Sequence, residues 1–122
     1  MKPASFNIPP QVSGDTFQDL FFTIMVNEQP LDLSNVQIDI WFRQQSPKGI
    51  IRLKLSTTDN TLTKSDIAGQ FLIPSQIIDL KPNRYYYDIQ LTLDTGKVYT
   101  YVSGYFNILS SITNAWSNFH WE

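Results

Sequence analysis

The chain has 122 residues, a length that fits one domain with a continuous core and is too short for two. It contains no cysteine, which excludes disulfides and thiolate metal sites, and its formal charge of −2 comes from interspersed residues without the basic stripe that nucleic-acid binding needs. Charged residues make up 16% and aromatic residues 14%, a balance that predicts an apolar surface covered in a homo-oligomer or by another partner.

The N-terminal region has no apolar run that would form a signal peptide, and no stretch is long enough to cross a bilayer. We therefore expect synthesis in the cytoplasm and no membrane partner. Pro3, Pro9 and Pro10 disfavour a helix, so residues 1–13 are predicted to form an extended arm that pairs as an edge strand.

Apolar and polar residues alternate along much of the remaining chain, which is the period of strands with one buried face. Residues 17–26 are apolar on both parities, which predicts a central strand or one with a covered outer face. Residues 36–43 and 51–55 predict two amphipathic strands, and residues 71–73 predict a shorter one. Residues 75–80 favour a single helical turn.

The strongest pattern runs from Asn83 to Ile108, where two alternating segments flank a Gly-containing turn and predict a long antiparallel hairpin. On its second strand the predicted inward positions are Val98, Thr100, Val102, Gly104, Phe106 and Ile108. The segment before Tyr85 resembles the tyrosine corner of immunoglobulin-like domains. Seven or eight short strands predict an all-β, antiparallel two-sheet sandwich, with a closed barrel as the alternative.

The predicted core combines the inward positions of these strands. Its members are Ile38, Ile40, Phe42, Leu53, Phe71, Ile89, Leu91, Val102 and Phe106. We expect them to form one cluster, because a chain of this length supports a single core.

Four groups of residues resemble the N-terminal domain of bacteriophage baseplate upper proteins, which are structural proteins of siphophage tails. They are Gly14–Thr16, Pro30–Ser34, Ile77–Pro82 with Tyr85–Leu91, and Gly96–Gly104 with Phe106–Ile108. The resemblance covers about residues 14 to 113. It implies an immunoglobulin-like β-sandwich that docks receptor-binding or other peripheral proteins onto a phage tail or baseplate. The implied location is the virion, assembled in a bacterial host, and the implied partners are other virion proteins.

Residue types for catalysis or for cofactor and metal binding are sparse. His120 is the only histidine, and the chain has no phosphate-binding loop and no nucleophile elbow. Asp59, Asn60 and Asp66 offer oxygen ligands for calcium, but their spacing does not match an EF-hand and favours a solvated loop. Three further carboxylates fall on outward strand parities, which favours a solubilising role over a glycosidase pair. They are Asp19, Asp39 and Asp88. We therefore expect no enzymatic activity, cofactor or metal.

Aromatic residues outside the predicted core are the candidate interface. Trp41 lies on the polar parity of its strand, and Tyr86, Tyr99, Tyr101 and Tyr105 fall opposite the predicted core face of the hairpin. Exposed rings anchor protein interfaces and also stack on sugars, whereas cross-strand packing on a half-covered sheet explains them as well.

Residues 113–122 are predicted to form an aromatic tail after a sandwich of residues 14–112. Trp116, Phe119 and Trp121 are spaced so that a short helix would place them on one side. The tail either packs on its own sandwich or docks on a neighbouring subunit. Two hypotheses of function follow: a virion structural adaptor, and a carbohydrate-binding module that contacts a host saccharide.

Overall fold

The computed structural model describes residues 4–110, so the predicted aromatic tail lies outside the described residues. In chain order the strands are β1 (Ala4–Ser5), β2 (Ile8–Val12), β3 (Thr16–Phe17), β4 (Leu20–Thr23), β5 (Met25–Val26), β6 (Gln29–Pro30), β7 (Gln37–Gln44), β8 (Ile51–Ser56), β9 (Thr63–Lys64), β10 (Gln70–Ile73), β11 (Gln76–Ile77), β12 (Asn83–Thr92) and β13 (Val98–Leu109). No helix occurs within residues 4–110, and that part of the chain accordingly contains none that would span a bilayer.

The larger sheet has the strand order β1, β13, β12, β7, β8, and β2 also pairs with β13. The predicted hairpin is confirmed, because β12 and β13 are antiparallel and Tyr85 lies opposite Phe106. On its other side β12 pairs with β7, where Ile89 lies opposite Ile40. The two central strands, β7 and β12, each alternate buried and partly exposed residues over most of their length, so one face is covered and the other is accessible.

The smaller sheet has the order β4, β10, β9, and β3 and β11 form an adjacent antiparallel pair. The two layers meet where the rings of Phe17 and Phe106 lie edge to face at 5.9 Å. Eight of the nine predicted core residues belong to one buried cluster, and the ninth, Leu53, is partly buried and packs against it. The all-β sandwich is therefore confirmed. Its layers, β7–β12–β13 against β4–β10–β9, have the strand order of immunoglobulin-like domains.

The tyrosine corner is also confirmed by a specific hydrogen bond. The Tyr85 hydroxyl at the start of β12 donates to the carbonyl of Lys81 at 2.6 Å. Tyr85 is 3% exposed, and its burial raises the pKa of the hydroxyl, which remains a neutral donor. The bond fixes the corner from which the long hairpin begins.

Three predictions about the strands are corrected. The sandwich is mixed rather than wholly antiparallel, because the N-terminal arm runs parallel to β13 in both β1 and β2. The described residues contain thirteen strand segments instead of seven or eight, and residues 17–26 are divided among β3, β4 and β5. The predicted helical turn at residues 75–80 is replaced by β11, which gains backbone pairing with β3.

A bulge in β13 corrects the predicted inward face of that strand. Val102 lies opposite Ile89 and Thr100 lies opposite the next residue of β12, so Tyr101 is the extra residue. The bulge inverts the parity of residues 98–100, and Val98 is 56% exposed. The prediction that Val98 and Thr100 face the core is therefore wrong.

Candidate functional site

The accessible outer face of the larger sheet brings together side chains from four strands. Trp41 on β7 lies opposite Lys54 on β8. In the next row, Arg43 on β7 lies opposite Tyr86 on β12, which in turn lies opposite Tyr105 on β13. Side chains at paired positions project from the same face, so the register places these residues in one surface.

Six of these outer side chains form a continuous line across the four strands, which we call the cation–aromatic ribbon. In order it contains Lys54, Trp41, Arg43, Tyr86, Tyr105 and Arg84. At one end Lys54 Nζ lies 4.5 Å from the centre of the Trp41 ring, and the Arg43 guanidinium carbon lies 5.6 Å from the same ring. The Trp41 ring therefore has two cations at distances at which cation and ring attract each other.

The second half of the ribbon is built on the hairpin. The rings of Tyr86 and Tyr105 are 5.7 Å apart at an interplanar angle of 74°, an edge-to-face pair. The Arg84 guanidinium carbon lies 3.6 Å from the centre of the Tyr105 ring. The four inner members are half-buried, whereas Lys54 and Arg84 are exposed at the two ends. The ribbon thus presents ordered rings with accessible charges.

These contacts organise the surface more than they stabilise the fold. A cation over a ring at an exposed site contributes about 0.5–1 kcal/mol, which is small beside the burial of a core side chain. The benefit is that each ring and each cation is already held in one orientation. When a partner binds there, these side chains lose little further entropy, so association costs less.

Two carboxylates lie beside the ribbon. Asp88 is half-buried between Trp41 and Ser103, and its burial raises the pKa of the carboxyl, against the opposing effects of Arg43 and the Gln90 side chain. Asp39 lies one row away and accepts a hydrogen bond from Gln37 Nε2 at 2.9 Å. The face carries three cations and two carboxylates, whereas the rest of residues 4–110 carries five cations and eight carboxylates. Positive charge is therefore concentrated on this face.

The structure brings together some of the predicted interface residues and separates others. Trp41, Tyr86 and Tyr105 share the outer face, as predicted. Tyr99 instead lies opposite the inward-facing Leu91, and Tyr101 packs against the core, so their predicted outward placement is wrong. The bulge at Tyr101 is the cause. The tail positions of the proposed interface lie outside the described residues; these are Trp116, Phe119 and Trp121.

The sequence reasoning missed the three cations of the ribbon. Arg43, Lys54 and Arg84 each stand on the outward parity of a predicted strand, which was the available signal. Their contacts with rings depend on the register between strands, because Lys54 reaches Trp41 and Arg84 reaches Tyr105 across strand boundaries. Periodicity within one strand does not contain that information.

One of the residues considered for calcium, Asp59, is used in local hydrogen bonds. Asp59 Oδ1 accepts from the Thr61 amide at 3.0 Å and from its hydroxyl at 2.5 Å, and these bonds lower the pKa of the carboxyl. Asp19, one of the three carboxylates weighed for a glycosidase pair, also accepts a hydrogen bond, from the Ser75 amide to Oδ1 at 2.5 Å. Within the part of the chain that the structure describes, no three His, Cys, Asp or Glu side chains group as metal ligands.

Comparisons with known proteins give a limited result. No protein-family model matches the chain, and no curated protein matches it. Among solved structures, the chain is similar to extracellular domains 3–5 of OTK from Drosophila, with 17% identity and a TM-score of 0.40. The match covers 88% of this chain and 33% of that chain, so the chain spans about a third of that structure. A likeness of this degree carries no conclusion about function.

Proposed function

We propose that the chain is a non-enzymatic protein-docking module that serves as a structural adaptor in a phage virion, where it holds a peripheral or receptor-binding protein on the tail or baseplate. The cation–aromatic ribbon carries the docking part of this proposal. Trp, Tyr and Arg are the residue types enriched among the side chains that dominate binding energy at protein interfaces. Five of the six ribbon residues are of these types.

The position of the ribbon also favours docking. Its inner members project from β7 and β12, the two central strands of the larger sheet, and from β13 beside them. Below them lie the fully buried side chains of Ile40, Phe42 and Tyr87. A surface fixed on such a core keeps its shape when a partner binds, which lowers the entropic cost of association.

The virion assignment is supported by the sequence resemblance to phage baseplate upper proteins. The groups that carry the resemblance include Tyr85–Leu91 and Phe106–Ile108, which form the hairpin under the ribbon. Of the ribbon residues, Tyr86 lies within these groups, and Arg84 and Tyr105 lie directly beside them on the same hairpin. Other virion proteins are then the expected partners, and a homo-oligomer is the expected state.

The carbohydrate-binding hypothesis has less support from the same geometry. Sugar stacking needs an open ring face, and Trp41 and Tyr105 each have a cation over one face. Tyr86 contributes to an edge-to-face pair with Tyr105. The ribbon therefore offers less free ring area than a row of bare aromatic residues would.

The virion assignment is tested on phage particles. We expect mass spectrometry of purified particles from the strain that encodes the chain to detect it, and gold-labelled antibody to place it at the tail. Particles that lack the chain would contradict the assignment.

The docking role is tested by combining Trp41→Ala with Tyr105→Ala in the phage. Particles should retain the chain and lose the peripheral protein that it holds. Thr92→Ala, on the same face at the far end of β12, is the matched control and should leave particles unchanged. Purified variants with unchanged melting temperatures would exclude misfolding, and particles that keep every peripheral protein would contradict docking through the ribbon.

A further inference from the structure

We propose that the cation–aromatic ribbon binds an extended acidic segment of the partner protein, with carboxylates at the two ends of the segment and an apolar or aromatic side chain between them. This inference rests on the proposed docking function and names the chemistry of the partner.

The distribution of charge is the first argument. Three of the eight cations in residues 4–110 lie in the ribbon, on a chain whose formal net charge is −2. An acidic segment is attracted to this face and repelled by the more acidic remainder of the molecule. Charge complementarity of this kind sets the orientation of docking and its rate.

The order of side chains within the ribbon gives the pattern of the segment. Lys54 and Arg84 are exposed at the ends, where a carboxylate reaches them without losing all of its hydration. Near the middle Arg43 already interacts with the half-buried carboxyl of Asp88, which lies opposite Trp41 and disfavours a second carboxylate. The rings of Trp41 and Tyr86 offer apolar contact at that point. The bound segment is therefore expected to carry charges at both ends and an apolar side chain at its centre.

The dimensions of the sheet give the length. Lys54 lies on β8, and the guanidinium of Arg84, a β12 residue, lies over the Tyr105 ring on β13, so the two ends of the ribbon are three strand spacings apart. Neighbouring strands are about 4.8 Å apart, so the ribbon spans about 14 Å, and an extended chain rises about 3.3 Å per residue. A segment of about five residues therefore reaches from Lys54 to Arg84.

A peptide fits this surface better than an acidic polysaccharide does. Cations already lie over the rings of Trp41 and Tyr105, which leaves less ring face for sugar stacking. Exposed cations at the two ends, with apolar ring edges between them, match a peptide that has acidic ends and an apolar centre. An acidic saccharide is retained as a competing outcome of the test.

The test measures binding of short fluorescent peptides to the full chain by anisotropy. The probe is Glu-Glu-Phe-Glu-Glu, and Gln-Gln-Phe-Gln-Gln is the uncharged control of the same length. We expect the acidic peptide to bind at least about tenfold more tightly, and to weaken as NaCl is raised from about 0.05 M to about 0.3 M.

Charge-reversal variants locate the binding site. Lys54→Glu and Arg84→Glu should each weaken binding of the acidic peptide by about tenfold, since each removes an attraction and adds a repulsion. Lys97→Glu makes the same change of charge in the exposed hairpin turn and should alter affinity by less than about twofold. Circular dichroism melts establish that all three variants fold.

Three results would overturn the inference. The first is equal binding of the two peptides, and the second is an equal loss of affinity in Lys97→Glu. The third is displacement of the labelled acidic peptide by polygalacturonate at a lower concentration of carboxylate groups than unlabelled acidic peptide requires.

The virion experiment separates this inference from the proposed function. Particles that hold the partner equally well with Lys54→Glu and Arg84→Glu keep the docking function and reject the acidic segment. A peptide bound as expected by a chain absent from particles rejects the virion assignment alone.

Discussion

Gly104 is the residue at which the N-terminal arm comes closest to β13. A Cβ atom at this position would overlap the Phe6 carbonyl, and the same carbonyl accepts a hydrogen bond from the buried Tyr87 hydroxyl. The arm is also held by Phe6 N, which donates to Ser103 O at 3.0 Å, and by Asn7 Oδ1, which accepts from the Tyr105 amide at 3.0 Å. The absence of a side chain at residue 104 is therefore what lets the arm join the sheet.

The change Gly104→Ala should displace the arm and destabilise the fold. Overpacking a well-filled site costs about 1–3 kcal/mol, and the Tyr87 hydroxyl would lose its acceptor as well. Urea denaturation of the variant measures the loss. Thr100→Ala, on the outer face of the same strand, is the control and should change stability by about 0.5 kcal/mol or less. A Gly104→Ala variant as stable as its parent would show that the arm is not held over this residue.

Asp88 supplies a prediction about pH. Burial raises the pKa of its carboxyl, so the folded state binds the proton more tightly than the unfolded state does. Its ionised form therefore costs stability at neutral pH, and that cost disappears as pH falls from the raised value toward the ordinary value of 3.8. Asp88→Asn should raise the melting temperature at neutral pH, with a gain that shrinks in acid.

Melting curves of both proteins between about pH 4 and about pH 7 test this prediction. If Asp88→Asn melts lower than its parent at neutral pH, the attraction between Asp88 and Arg43 outweighs the cost of burial. The order of the two effects on this carboxyl would then be reversed.

At the scale of elements, periodicity within a strand was enough to predict the core. Ile38, Ile40 and Phe42 alternate on β7, and all three are buried in the cluster beneath the ribbon. Pairings between distant segments were not predictable in the same way. The arm runs parallel to β13 because Phe6 and Ile8 find partners about 100 residues away, and no local pattern encodes such a partner.

The difference between local periodicity and long-range pairing also explains which residues of the candidate site were predicted. Trp41 and Tyr105 were correctly predicted as outward residues. Each stands on the polar parity of its own strand, and the bulge at Tyr101 does not shift the parity at either position. Tyr99 was misplaced because the bulge at Tyr101 shifts the parity, and bulges have no clear signature in a single alternating sequence. The ribbon as a whole required the register of four strands.

The core of the hairpin gives a prediction at this scale. Ile89 is fully buried between Ile40 on β7 and Val102 on β13. Ile89→Ala should lower the free energy of unfolding by about 2–5 kcal/mol, because it removes apolar contacts and leaves a cavity that central strands cannot close. Gln90→Ala, the next residue on the outer face, is the control and should cost much less. Equal losses in urea denaturation would contradict the assignment of faces.

At the scale of the whole molecule, the edges of the sheets carry features that oppose strand addition. Strand β8 carries Arg52 and Lys54, and the arm carries Pro9 and Pro10. Strand β4 is uncharged, but the Tyr101 hydroxyl lies at its open edge, 3.3 Å from both Thr23 O and Met25 N. Charges, prolines and filled hydrogen-bonding positions all discourage edge pairing. Association through a face of the sandwich is thereby favoured over association through its edges.

The predicted aromatic tail of residues 113–122 gives the last test at this scale, and it lies outside the described residues. Its sequence concentrates Trp116, Phe119 and Trp121 within ten residues. At about 25 cal/mol per Å² of apolar area, three such side chains on a neighbouring subunit contribute several kcal/mol before ordering costs are subtracted. We therefore expect a chain that ends at Ser111 to associate more weakly in sedimentation and to melt at nearly the same temperature. Undiminished association with a melting temperature lowered by many degrees would instead assign the tail to the core of its own domain.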